Sequence, residues 1–294
     1  MRTAAPLLAG LLLLAAVPGT AQSDPRGELL RLLNAERQKV GAPPLRLSPP
    51  LSRAAEEHAA ELAARGAMRL QASSAAEMRQ RLERAGYEAH AWTESLAMTP
   101  GDPETAIRNW RQGDAESYRR AMSPEFRDIG IGLDRLRGTP LYIFLFAVPE
   151  SDYFARGTSG LGDLERVRAE VLARVNEARI KAGIAPLRAN SRLDRAAQRH
   201  AEGMLARGYF AHQSPEGKTV RERAREADYD WRAIGENLAE GQFSADEVVD
   251  NWLHSPDHRR NILDPGFKEM GLGVARGRDG RRYRVLWAQV LGAR

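Results

Sequence analysis

The chain has 294 residues, 28% of them charged, and its formal net charge of +5 comes from 44 Lys and Arg interleaved with 39 Asp and Glu. That interleaving describes a solvated surface, and nothing resembles a nucleic-acid-binding motif, so no nucleic-acid partner is expected. Cysteine is absent, which excludes disulfides, thiolate catalysis, thiolate zinc sites and iron–sulfur clusters.

Residues 1–21 read as a secretory signal peptide, with Arg2 as the positive start, Leu7 to Val17 as the apolar run and Gly19-Thr20-Ala21 as small residues for cleavage. No other apolar stretch could span a bilayer, so the mature protein is expected to be secreted or periplasmic, with no membrane span. Gly27 to Gly66 then returns without a gap as Ala169 to Gly208, with 18 of 40 positions identical at an offset of 142. This predicts two tandem copies of one domain, over 27–148 and 164–292. Between them Pro149 to Asp163 is rich in Gly, Ser and Asp without clear periodicity, and reads as a linker.

In the first copy Asp102-Pro103 caps a helix that reaches Trp110, and Leu141 to Val148 supplies the last strand. In the second, Leu164, Val167, Val171, Val175 and Ala178 mark one apolar helix face. Ser191 is the expected cap of a second helix with Leu193, Ala196, Ala197, His200, Ala201 and Met204 facing inward. Thr219 with Glu222, and Ser244 with Glu247, repeat the capping spacing for two shorter helices. A strand follows around Ile234 to Ala239. Met270 to Ala275 and Tyr283 to Val290 then form a hairpin across Asp279-Gly280. Helices first and a hairpin last predict an α+β domain with helices on a small antiparallel sheet.

Four stretches of the second copy carry chemistry. They are Tyr209-Phe210-Ala211-His212-Gln213-Ser214-Pro215, Gly235-Glu236-Asn237-Leu238-Ala239, the run from Trp252 through Ser255-Pro256-Asp257-His258-Arg259 to Leu263, and Trp287-Ala288-Gln289-Val290. In this order and spacing they resemble the CAP superfamily (cysteine-rich secretory proteins, antigen 5, pathogenesis-related 1; the SCP domain), in its cysteine-free bacterial branch. The resemblance implies two α-β-α sandwich domains, with His212, Glu236 and His258 lining the cavity of the second. Many eukaryotic relatives also place a cavity histidine just before the last strand's Tyr-Thr-Gln, where this chain has Leu286-Trp287-Ala288-Gln289.

Two imidazoles and a carboxylate from a loop, a strand and a helix start can share protons, or can hold a divalent metal such as zinc. Ser255 as N-cap and Pro256 as first helical residue would put His258 near the positive helix end, favouring its neutral form. Asn237, Arg259 and His254 are the candidates for supporting that trio. The structural alternative is a hydrogen-bonded network in which Asn237 and Arg259 only tie loops together. His200 has a counterpart, His58, and reads as a packed structural residue; Trp252 and Trp287 read as core.

The first copy serves as an internal control. His212 corresponds there to Leu70, Glu236 to Glu94, Asn237 to Ser95 and His258 to Ser117, whereas Tyr87, Trp110, Gly130, Gly132 and Tyr142 match Tyr229, Trp252, Gly271, Gly273 and Tyr283. The first copy therefore keeps the scaffold and loses the histidines. The reading is an exported CAP-type protein, a non-catalytic binding module rather than an enzyme, whose ligand is an envelope or extracellular peptide, lipid or polymer. The alternatives are a metal-dependent hydrolase using the same trio, without an HExxH helix or nucleophile elbow to support it, and a lipid or sterol carrier.

Overall fold

The computed structural model describes residues 24–66 and 71–294; the signal expected over 1–21 and the position of Leu70 lie outside them. Among the described residues no helix is long and apolar enough to cross a membrane. Two compact units divide the chain, one ending at Ala147 and the other running from Val148 to the end together with Glu88–Ala91.

The first unit runs α1 (Pro25–Lys39), β1 (Arg46–Leu47), α2 (Pro49–Ala64), α3 (Ala75–Ala85), β2 (Ala89–Met98), α4 (Pro103–Gly113), α5 (Ala115–Ala121), β3 (Asp128–Leu136) and β4 (Thr139–Pro149). Next come α6 (Glu150–Gly157) and a 3-10 turn (Ser159–Leu161). The second unit then repeats the plan as α7 (Leu164–Lys181), β5 (Arg188–Ala189), α8 (Ser191–Arg207), α9 (Val220–Glu226), β6 (Ala233–Glu240), α10 (Ala245–His254), α11 (Pro256–Ile262), β7 (Glu269–Arg278) and β8 (Tyr283–Ala293). The expected helix starts at Asp102, Thr219 and Ser244 are all capped by those side chains. At α8 the cap moves by one residue: Asn190, not Ser191, accepts from the backbone N–H groups of Arg192 and Leu193. Asp194 is thereby freed to accept from the Leu272 amide on β7 at 2.8 Å.

Each sheet has four strands, ordered β1-β3-β4-β2 and β5-β7-β8-β6. The hairpins are antiparallel, and the two-residue β1 and β5, too short to show in the sequence, pair in parallel at one edge. Side-chain alternation splits the second sheet between two cores. Met270, Leu272, Val274, Val285, Trp287 and Leu291 join α7, α10 and α11 on one face, while Leu238, Ala275, Leu286, Ala288 and Val290 join α8 and α9 on the other. This is the layered arrangement the resemblance implies.

Gly271 and Gly273 fall on the α8 face. A Cβ at Gly273 would stand 2.3 Å from the Ala197 carbonyl carbon, and Gly132 is in the same position against Ala55. Glycine is required because helix backbone rests directly on strand backbone. Replacing Gly273 with Ala should push α8 off β7 and cost about 3 kcal/mol, the upper end for overpacking. A denaturant midpoint shifted by the equivalent of under about 1 kcal/mol would mean the helix yields freely.

The stretch expected to be an irregular linker is ordered differently. Residues 150–157 are helical, and Phe154 and Leu161 are buried in the second core, with the Phe154 ring 4.8 Å from that of Tyr283. A second domain cut at Asp163 would lack both.

One more pair of residues recurs. Arg179 of α7 is fully buried and donates to the carbonyls of Ala185 (2.9 Å), Ile262 (2.7 Å), Asp264 (2.9 Å) and Phe267 (3.1 Å). Arg37 of α1 does the same in the first unit, to Pro43, Ala121, Ser123 and Phe126. Burial depresses both guanidinium pKa values, that of Arg37 to about 10.

Candidate functional site

Strand alternation decides what β6 presents. Leu238 belongs to the α8 and α9 core and Ala239 to the opposite one, so Glu236 points toward α8 and α9 and Asn237 away from them. The Glu236 side chain is 2% exposed and needs partners. Arg223, on the α9 turn fixed by the Thr219–Glu222 capping box, donates Nη2 to Glu236 Oε2 at 2.5 Å. Its Nη1 is spent on the carbonyls of His212 (3.1 Å) and Lys218 (2.8 Å), tying the 209–218 loop to the helix. His212 donates Nδ1–H to Glu236 Oε1 at 2.9 Å while 63% of its side chain remains exposed. That bond fixes the tautomer and leaves Nε2 as an acceptor.

His200 is buried, as expected of a packed residue, yet it belongs to this cluster. Its Nε2 donates to the Ala211 carbonyl at 3.0 Å and lies 3.9 Å from Glu236 Oε1. Burial pushes its pKa down to about 4, with the Glu236 charge opposing. The unfolded chain therefore takes up this proton first as pH falls. The contribution of a neutral His200 is complete above the ordinary value of about 6.5 and is lost toward pH 4. Unfolding midpoints should fall across that window, and the His200 ring resonances should stay in the neutral form down to near its lower end. A ring midpoint at or above pH 6 would contradict the assignment.

His258 sits in the first turn of α11, as expected, but Ser255 occupies the N-cap position without a capping side-chain bond. The His258 pKa is lowered, in the expected direction, first by burial and then by the proximity of His212. Its Nδ1 is buried without a partner, and the ring hydrogen-bonds neither His212 nor Glu236. The three residues are thus one hydrogen-bonded pair and a neighbour. Among the described residues no group of three His, Cys, Asp or Glu is placed to hold a metal ion, and both Glu236 oxygens are already taken. The trio as folded does not fit a zinc site.

Of the residues expected to support the trio, Asn237 reaches the backbone of one member from the opposite face of the sheet. Asn237 donates to Gln289 Oε1 (2.8 Å) and to the His258 carbonyl (3.2 Å), and accepts from Asn261 (2.9 Å), a buried network on the far face of the sheet. It holds α11 to β6 and β8. Arg259 lines a groove with Arg174 and Asp246 beside α7 and α10. His254 is exposed and bonds the Asp250 carbonyl of its own helix at 2.7 Å. Trp252 and Trp287 are fully buried, with their ring N–H groups on the carbonyls of Leu238 and Gln242.

Arg223 is the site residue that motif reading missed. The signal for it was the repeat, because Arg81 stands at the 142 offset just as Glu94 does for Glu236. In the first unit His58 Nδ1 takes Glu94 Oε1 at 2.7 Å, the Ser73 amide takes Oε2 at 2.7 Å, and Arg81 turns to Ser73 (2.6 Å) and to Glu61. A buried His, Glu and Arg are therefore common to both domains. What the second adds is His212, which takes the carboxylate oxygen that the inner histidine holds in the first.

The model of the cysteine-rich secretory protein family (CAP) matches residues 30–146 and again 172–291. The chain is 33% identical over 116 residues to the uncharacterized protein YkwD of Bacillus subtilis (strain 168), covering 40% of this chain and 45% of that one. It is 31% identical over 133 residues to Golgi-associated plant pathogenesis-related protein 1 of Homo sapiens, covering 40% of this chain and 77% of that one. The match thus spans less than half the length of the Bacillus relative. Among solved structures, an extracellular SCP-domain protein from Bacillus anthracis str. Ames aligns at 18% identity and a TM-score of 0.42, over 56% of this chain and 60% of that one.

Proposed function

Since the chain belongs to the cysteine-rich secretory protein (CAP) family in both of its domains, we propose that it is an exported, non-catalytic binding protein of the cell envelope or extracellular space. In this reading the second domain contacts the ligand through His212, and the first is a folded spacer or contact surface. The observation that carries it is the state of Glu236. Both of its oxygens are engaged by buried or fixed donors, so it orients His212 and leaves no free carboxylate to activate water. On the same loop His212 Nε2 offers an acceptor and Phe210, 44% exposed, an apolar contact. Among the described residues no hydroxyl hydrogen-bonds His212 or His258, so a nucleophile and base pair has no support.

The test uses the full mature chain and its His212→Ala variant. Co-sedimentation with insoluble envelope polymer and with anionic lipid vesicles should retain the wild type on at least one of them and the variant less. Peptide and ester panels should show no turnover. Hydrolysis that disappears with His212 would replace the binding reading with an enzymatic one, and retention that ignores the substitution would remove His212 from the contact surface.

A further inference from the structure

One buried proton of the second domain stands between two acceptors. The side chain of His200 is 1% exposed, and a neutral imidazole carries a single N–H. That proton, on Nε2, is given to the Ala211 carbonyl at 3.0 Å, with Glu236 Oε1 3.9 Å away. His212 decides between the two. Its Nδ1–H already fills Glu236 Oε1 at 2.9 Å, and Arg223 fills Oε2. The carboxylate therefore makes no demand on the inner ring, whose donor is left for the loop that carries His212.

The first domain holds the other arrangement. His58 stands at the position of His200, Glu94 at that of Glu236 and Leu70 at that of His212, so the sequence there supplies no outer imidazole. His58 bonds Glu94 Oε1 directly at 2.7 Å. It does so through Nδ1, so the first domain shows that a ring from this helix position reaches the oxygen, not the path by which it would do so in the second. There the gap to close is from 3.9 Å to about 2.9 Å, a movement of about 1 Å. His200 lines a cavity of about 230 Å3 with Tyr209 and Ser214, which gives the ring room to turn. A hydrogen bond to an ionised acceptor is also about twice as strong as one to a neutral carbonyl. Occupation of the oxygen by His212 is what keeps His200 on Ala211.

We infer that the 209–218 loop is held by a coupled latch, in which His212 and His200 exchange on Glu236 Oε1. In the closed setting, which this structure holds, His212 sits on the carboxylate and His200 on the Ala211 carbonyl. When the His212 ring is drawn outward, His200 moves onto the vacated oxygen and lets go of Ala211, so two ties of the loop open together. The buried carboxylate is not stranded at either stage, which lets a ring that is 63% exposed leave at small cost. Arg223 keeps the His212 carbonyl at 3.1 Å and is the pivot. The latch describes how the loop is held and released, and stands whether or not His212 touches a ligand.

The test is NMR on the isotope-labelled full mature chain, wild type against His212→Ala. The His200 Nε2–H proton should move downfield as it passes from a carbonyl to a carboxylate, and the Ala211 carbonyl carbon should move upfield as it loses its donor. Because residue 212 adjoins Ala211, the same comparison is made in a His200→Gln background. A glutamine amide carries two N–H groups and can serve both acceptors at once, so the Ala211 shift caused by His212→Ala should there fall to less than about half. A His200 Nε2–H proton that stays in place in His212→Ala overturns the proposal, as does an Ala211 shift of equal size in the two backgrounds. Should His200→Gln fail to fold, the Nε2–H proton decides alone.

Discussion

Arg179→Met is expected to cost the second domain about 3–5 kcal/mol, because it strands buried carbonyls that a single guanidinium satisfies. Those carbonyls lie on either side of the α11 C-terminus and just before β7, so the loss should loosen the segment that carries His258. Lysine should recover little. Its single ammonium cannot reproduce the planar fork that reaches Ala185, Ile262 and Phe267 together. Denaturant unfolding of the full chain, followed by probes in each domain, should show the second transition move and the first stay. A shift worth under about 1 kcal/mol would mean that water replaces the arginine without penalty.

The second large effect separates scaffold from presenting group within one hydrogen-bonded cluster. Glu236→Ala removes the carboxylate against which Arg223 is buried and should cost about 3–5 kcal/mol, the usual consequence of an uncompensated buried charge. His212→Ala should cost under about 1 kcal/mol, because its ring is mostly exposed and a replacement partner is at hand. His200 stands 3.9 Å from the abandoned oxygen, and His58 in the first domain occupies the same position with a bond of 2.7 Å. Paired stability measurements on the two variants check this order. The reverse order would make His212 part of the core and leave the surface without its candidate contact.

How far these features could be read from the residues depends on the range of the interactions that set them. Capping at Thr219 and Ser244, the hairpin turn at Asp279-Gly280 and the inner face of α8 are local, and they fold as read. The cap at α8 slips from Ser191 to Asn190 because both can serve, and Asp194 is drawn into a contact with β7 some 78 residues away. Helix α6 was invisible because it is short and is held by Phe154 against Phe243 and Tyr283, far along the chain. Arg223 was hidden in a charged stretch that reads as a solvated helix face, its partner on another element. Arg259 and His254 fail as neighbours of the site for a geometric reason. Adjacent helical residues diverge by about 100°, and the break at Ser255 cancels the four-residue spacing between His254 and His258.

The twin buried arginines bear on where such a protein can work. Each ties the end of the first long helix of its domain to backbone more than 80 residues onward, a span that exported proteins commonly close with a disulfide. The bonds run to carbonyl dipoles and not to carboxylates. Salt has no ion pair to screen there, and a reductant has no sulfur bond to open. Both long-range ties should therefore hold across swings in ionic strength and redox potential.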